Sequence, residues 1–270
     1  MAFIRKACAF IQRDFIEATS YKTAFFSEFF SIFISILIFY FLSRLFDNIV
    51  ISYLEPYGGD YFSFVLIGIA FTNYLDVALQ SFSRSIRDAQ IMGTLEATLV
   101  TQTDIPTIII CSSFYSFMWT SFHVLVYLLL GIVLFKVNMT QANFIGALVI
   151  LFLTIITFSS IGIISASFIM VLKKGDPIAH LFAGISWFLG GVYYPIRVLP
   201  SWIRKFSYVI PLTYSLEGMR LALLKGYSLN ALFPNILALG IFSLIMGPFS
   251  IMCFQYAVNR AKRDGSLTHY

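Results

Sequence analysis

GGVYYPIRVLPSWIRKFSYVIPLTYSLEGMRLALLK, residues Gly190–Lys225, is the stretch on which the architecture turns. It is too polar and too broken to cross a bilayer. Pro195, Pro200 and Pro211 interrupt it, and Arg197, Arg204, Lys205, Glu217, Arg220 and Lys225 charge it. It is also rich in Trp, Tyr, Phe and Leu, and it lies between two long apolar runs. Proline removes a backbone donor and ends helices, so these prolines make short helical pieces. Within lipid such breaks persist only where protein or a water-filled cavity covers the freed backbone groups. The segment is therefore expected to lie along a membrane surface or dip into it, roofing or lining a pathway.

The rest of the chain supplies the membrane. The 270 residues are 59% hydrophobic and 11% charged, with a mean hydropathy of +0.85, whereas a soluble domain carries about 25% charge. This is the composition of an integral membrane protein. The 30 Phe and 15 Tyr suit lipid-facing surface and interfacial belts. The net charge of +5 fits cytoplasmic anchoring, and no basic run is dense enough for nucleic acid. Cys8, Cys111 and Cys253 are odd in number and far apart, which suggests apolar fillers rather than a disulfide framework or a metal site. No small-residue cleavage site follows a short apolar core, so no cleaved leader is expected. There is no internal repeat, and a single membrane domain over 25–270 is expected behind an N-terminal segment, 1–24.

Within that first segment, Ile4, Ala7, Cys8, Ile11, Phe15 and Ala18 fall on one helical face, and Arg5, Lys6, Gln12, Arg13 and Glu17 on the other. This is the pattern of an amphipathic helix lying in the interface plane; a solvated lead-in to the first span is the alternative. Six apolar runs follow, near 25–46, 61–83, 106–135, 144–172, 178–194 and 232–256. About 20 residues cross the hydrocarbon, so the third and fourth are expected to tilt or project. Ser27, Ser31 and Ser35 give the first run a small-residue face for close helix approach. Thr154, Thr157, Ser160 and Ser165 give the fourth a mildly polar side.

In the second run Gly68, Thr72, Asp76 and Gln80 form a stripe, with Asn73 beside it. An ionisable residue in a membrane helix is costly and faces protein or water. Thr72, Asn73 and Asp76 are thus candidates for a substrate path. The competing reading is hydrogen bonding inside the bundle. His123 is alone in the third run, with no second His, Cys or carboxylate spaced to join it, and is read as a hydrogen-bonding residue within the bundle rather than a ligand.

Six spans put both termini on one side. With the termini in the cytoplasm, the inside segments hold Arg5, Lys6, Arg13, Lys22, Arg84, Arg87, Lys173, Lys174, Arg260, Lys262 and Arg263. The first two outside loops then hold only Arg44, at a span end, and Lys136. The positive-inside rule selects this orientation. The Gly190–Lys225 segment falls outside and breaks the rule with five basic residues. Pairing with Glu217 or with anionic headgroups is the expected reason, and Glu217 and Arg220, three residues apart, share a helical face.

Residues 84–105, RSIRDAQIMGTLEATLVTQTDI, form the opposite, cytoplasmic counterpart. Arg84, Arg87 and Asp88 charge it, Gly93 breaks it, and Thr94 is placed to cap a new short helix containing Glu96. Ile91, Met92, Leu95, Leu99 and Val100 give it an apolar side that a free loop has no use for. A short helix there is a handle for another protein to push on. The chain has no nucleophile elbow, no HExxH and no GxxxxGK[ST] phosphate loop, so it is not itself a P-loop ATPase.

GTLEATLVTQTDIP resembles the coupling region of ABC-2-type permeases. GGVYYPIRVLPSWIRKFSYVIPLTYSLEGMR resembles that family's signature before its last span, with P-x-x-x-LP-x-W, then PLTY, then E-x-x-R. Gln102–Thr103–Asp104 departs from the Thr-Pro pair of many members. The resemblance implies a transport subunit with no catalytic residues and no bound cofactor. It implies a second, often identical, permease copy and two separate ATPase subunits that hold ATP and Mg. It makes 84–100 a coupling helix, with Arg87, Asp88, Gly93, Thr94 and Glu96 as contact residues, and the N-terminal helix an interface helix. It makes 195–225 a set of external re-entrant helices at a gate formed by Tyr194, Pro195, Pro200, Trp202, Pro211, Glu217 and Arg220. Aromatic and Ser/Thr surface with few fixed charges fits an amphipathic drug, lipid or lipid-linked cargo. A polysaccharide exporter, with Tyr193, Tyr194, Trp202, Tyr208 and Tyr214 stacking on sugar rings, is the rival within the family. An ATPase-independent channel or scaffold is the rival outside it.

Overall fold

The computed structural model describes Ile16 and residues 22–46, 51–91, 105–172 and 177–263. All regular structure among them is helical. The long helices are α1 (Lys22–Phe46), α3 (Tyr61–Ile91), α4 (Ile105–Phe135), α5 (Phe144–Leu172) and α9 (Leu229–Arg263). These five are long and apolar enough to cross a membrane. Short pieces join them: α2 (Ile51–Leu54) with a 3-10 turn at Glu55–Tyr57, and α6 (Pro177–Leu189), a 3-10 turn at Ile196–Val198, α7 (Ser201–Ser207) and α8 (Pro211–Lys225). The expected amphipathic helix over 1–24 lies outside the described residues, apart from Ile16 and the start of α1.

Helix α3 is the centre. Of its spanning window 78% is buried, against 17% for α1, 22% for α4 and 11% for α9. It packs on α4 and α5, and α9 packs along the far side of α5. The α3–α5 contact is tight at Gly162, where an added Cβ would lie 1.9 Å from the Ala78 carbonyl oxygen. The polar side expected for α5 is inside the bundle: the Thr154 and Ser215 hydroxyls meet at 2.7 Å, and those of Thr157 and Ser243 at 2.8 Å. Such cross-helix pairs replace water for hydroxyls in an apolar interior. The serine face of α1 is different. Ser27 and Ser31 are exposed and Ser35 half-exposed, while Ile32 and Ile36 are what α1 buries.

Helix α3 starts where Asp60 caps it, its carboxylate accepting the Phe62 and Ser63 backbone N–H groups at 3.2 and 3.0 Å and the Ser63 hydroxyl. The apolar span closes at Arg84, close to the expected Ser83. The helix itself continues to Ile91, a stretch without Gly or Pro, so the first part of the expected coupling segment is helical and continuous with α3.

The expected fifth span near 178–194 is a 13-residue helix that ends at Leu189. At 1.5 Å per residue it is about 20 Å long, short of a bilayer's roughly 30 Å core. Gly191, in the left-handed region at φ 76°, turns the chain there. Beyond the turn the prolines act as starts rather than breaks: Pro195 and Pro200 stand immediately before the 3-10 turn and α7, and Pro211 is the first residue of α8. A missing N–H costs nothing at those positions.

Candidate functional site

Arg220, on the buried face of α8, is 3% exposed. Its Nε donates to the Phe64 carbonyl at 3.0 Å, its Nη1 to that of Gly191 at 2.8 Å, and its Nη2 to that of Val192 at 2.9 Å. The guanidinium carbon also sits 3.4 Å from the Phe64 ring centroid. Burial pulls its pKa down to about 9, opposed by Tyr57, Glu217 and Tyr61, so the group keeps its proton at neutral pH. The irregular backbone after α6 frees carbonyls at Gly191 and Val192, and one planar donor set closes both onto the first turn of α3. Gly68 makes room: a Cβ there would lie 2.3 Å from the Val192 oxygen and 2.6 Å from Nη2. Gly68 thus belongs to this cradle rather than to a polar stripe.

Glu217 does not pair with Arg220 as expected. All three donor nitrogens of the guanidinium are used on carbonyls, and among the described residues no ion pair joins the two side chains. Burial raises the Glu217 pKa, and the charges of Arg197 and then Arg220 lower it in part. Arg204 repeats the theme on a smaller scale, donating to the Arg197 and Leu199 carbonyls at 2.9 and 3.0 Å. Two of the five basic residues of the Gly190–Lys225 segment therefore serve backbone oxygens.

The other expected gate residues divide. Pro195 and Pro211 are buried. Tyr194 is half-buried, its hydroxyl donating to the Phe188 carbonyl. Pro200 and Trp202 are exposed, and Trp202 shares an open apolar face with Phe206 and Val209.

The expected path residues divide too. Thr72 is 2% exposed and donates to its own helix, to the Gly68 carbonyl at 2.6 Å, so it packs rather than lines. Asn73 is half-buried, its amide 3.3 Å from the Ile69 and Ala70 carbonyls. The Tyr127 hydroxyl of α4 lies near it and near Ser35 of α1. Asp76 is half-buried, and its carboxylate lies beside the Trp187 side chain of α6. The Tyr193 ring stands edge-on to Trp187 at 6.1 Å and stacks on Phe39 of α1 at 5.5 Å. Asp76 thus opens onto an aromatic wall built from α1, α6 and the turn after it. The sequence pattern held no signal for Trp187, Tyr193 and Phe39 meeting there.

His123 is not alone. Glu28 of α1 brings a carboxylate oxygen to 3.3 Å from its Nε2, and the same oxygen accepts the Trp119 indole N–H at 3.1 Å. His123 contacts a neighbouring helix inside the bundle, as expected of a lone histidine there, and the carboxylate it meets comes from another helix, which no spacing along α4 could have shown. Arg220, Asp76 and His123 have separate partner sets and form no common constellation.

Of the coupling residues, Arg87 and Asp88 lie on the last turns of α3, with side chains outside the described residues. Gly93, Thr94 and Glu96 also lie outside them.

Long apolar helices around a broken segment, held by a buried guanidinium, define a multi-pass membrane protein with an irregular half-helix region. The ABC-2 type transporter family model matches residues 5–224, and the chain belongs to that family. The inner membrane transport permease YadH of Escherichia coli (strain K12) is 22% identical over 212 residues, covering 78% of this chain and 80% of that protein. The same-named Shigella flexneri protein has the same identity and coverage. The chain is a permease subunit of the ABC-2 type.

Proposed function

We propose that this permease exports an amphipathic or hydrophobic compound, drug-like, lipid or lipid-linked, across the cytoplasmic membrane. Two ATPase subunits that hold ATP and Mg drive it, and a second permease copy completes the path. Both termini face the cytoplasm, and the segment from Tyr194 to Lys225 forms the external gate, with α6 and the following turn dipping into the membrane from opposite sides.

The observation that carries this reading is the continuity of α3. One unbroken helix of 31 residues bears Phe64 and Gly68, in the Arg220 cradle, at one end and Arg87 and Asp88 at the other. Phe64 and Arg87 are separated by about 35 Å of helix at 1.5 Å per residue. A displacement applied near Arg87 is delivered to the gate by a rigid element. The Gly191–Val192 turn lies level with Gly68, about 10 Å along α3 from its first residue. Irregular backbone at such a depth requires protein cover, and Arg220 supplies it.

Energy enters only where two ATPase states touch the coupling segment differently, because equal contacts shift no equilibrium. Reversing charge at Arg87 or Glu96 is therefore expected to abolish substrate-stimulated ATP hydrolysis in the reconstituted complex while leaving the permease folded. Unchanged stimulation in both variants, or failure of any P-loop ATPase to co-purify, rejects the reading.

A further inference from the structure

We propose that Asp76, walled by Trp187, Tyr193 and Phe39, binds the cationic centre of an amphipathic substrate. The inference rests on the transport reading and narrows its substrate class to lipophilic cations.

Asp76 is fifteen residues beyond Tyr61 on α3, deep within the spanning window Tyr61–Arg84. A carboxylate at that depth needs compensation. Among the described residues no Lys, Arg or His comes within ion-pair distance of it. The neighbouring donor is the Trp187 side chain, which has a single N–H to offer. An ionised carboxylate has about four acceptor positions, so most of its capacity is unused.

The surroundings favour a large, weakly hydrated cation over a proton or a metal ion. Trp187 is 38% exposed, and Asp76, Tyr193 and Phe39 are each partly open. The Trp187 ring stands edge-on to Tyr193, and Tyr193 lies almost parallel to Phe39, with 13° between the planes. Aromatic faces attract a desolvated cation through the ring quadrupole, most strongly at Trp. They also cover the apolar substituents that such a cation carries. Asn73, one turn before it, is turned to the carbonyls of its own helix, and Arg84, two turns beyond it, donates to Gln80, so the carboxylate is the negative charge of this face.

The test is equilibrium binding of radiolabelled tetraphenylphosphonium to the purified full-length permease, with neutral triphenylphosphine oxide as competitor. Saturable binding that the neutral compound does not displace is expected. Asp76→Asn should weaken it about tenfold or more, since it removes the charge and keeps the shape. Asp76→Glu should stay within about threefold of wild type, and Trp187→Ala should fall between. Equal affinity in Asp76→Asn, displacement by the neutral compound, or no saturable binding overturns the proposal. Should Asp76→Asn fail to fold, Trp187→Phe and Trp187→Ala with the same competition decide it, equal affinity in both overturning it. Binding is read without an ATPase. Loss of the cation site in a complex that still couples ATP hydrolysis rejects this inference alone, and an intact site in a chain that recruits no ATPase rejects the transport reading alone.

Discussion

Arg220 touches Phe64 twice: its guanidinium carbon lies 3.4 Å from the centre of the Phe64 ring, and its Nε donates to the Phe64 carbonyl at 3.0 Å. One residue of α3 thus holds the cation by its face and by its backbone. The remaining donors reach two carbonyls that the turn after α6 has released.

Removing Arg220 is therefore expected to orphan two buried carbonyls, those of Gly191 and Val192, while the Phe64 carbonyl keeps its helical N–H and loses only its second donor. Each unsatisfied buried group costs about 1–3 kcal/mol, so Arg220→Ala should lose about 2 kcal/mol or more, enough to cut folded protein in the membrane. Arg220→Lys keeps the charge but not the planar fork, and should fold with a lowered Tm. Size-exclusion profiles and thermal melts in detergent measure both. A wild-type Tm for Arg220→Ala would mean the carbonyls find other donors.

Gly68 should report on the same cradle. Alanine there places a methyl 2.3 Å from the Val192 oxygen and 2.6 Å from the Arg220 guanidinium, so something must move. Gly68→Ala should destabilise, and combined with Arg220→Lys should be less than additive, since both loosen one contact set. Gly184→Ala is the control: nothing lies within 4 Å of its added Cβ, and it should leave the Tm unchanged or slightly raised. Additive losses would show that Gly68 acts apart from Arg220.

The sequence carried the helical architecture well, because long apolar runs with little charge have few alternatives in lipid. The limits of α4 and α5 fell within a residue of expectation. What it carried poorly was partnership. Glu217 and Arg220 share a helical face, yet the guanidinium turned to backbone carbonyls of two other segments. Glu28 and His123 are 95 positions apart in the chain, too far for any spacing rule. Thr72 and Asp76 share a stripe at helical spacing, but one points into the bundle and the other to its open side. The basic charge of the Gly190–Lys225 segment was legible and its cause was not. Arg204 and Arg220 answer to freed carbonyls, and only folded geometry brings those within reach.

Glu28 should anchor α1 to α4. Its carboxylate oxygen takes the Trp119 N–H at 3.1 Å and lies 3.3 Å from His123 Nε2. Interhelical hydrogen bonds in membrane proteins are worth about 0.6 kcal/mol on average, and up to about 1.7. Glu28→Ala should therefore cost about 1 kcal/mol and shift Trp119 fluorescence. Glu28→Gln retains an acceptor for the indole and should cost less. Identical melts and identical emission in Glu28→Ala would remove the anchor from the account.

Glu217 gives a pH dependence with a definite sign. Burial raises its folded-state pKa, only partly offset by Arg197 and Arg220. Between the unfolded carboxyl pKa, near 4.3, and the raised folded value, the native state binds more protons than the unfolded state. Stability contributed at this site therefore falls as pH rises through that window and stays low above it. Glu217→Gln mimics the protonated form at every pH. It should match wild type below about pH 4.3, exceed it at pH 7–8, and leave Tm flatter across the interval between. Melting curves of both proteins from pH 4 to 8 measure this. A variant less stable than wild type at pH 8 would mean that attraction from Arg197 and Arg220 outweighs the cost of burying the charge.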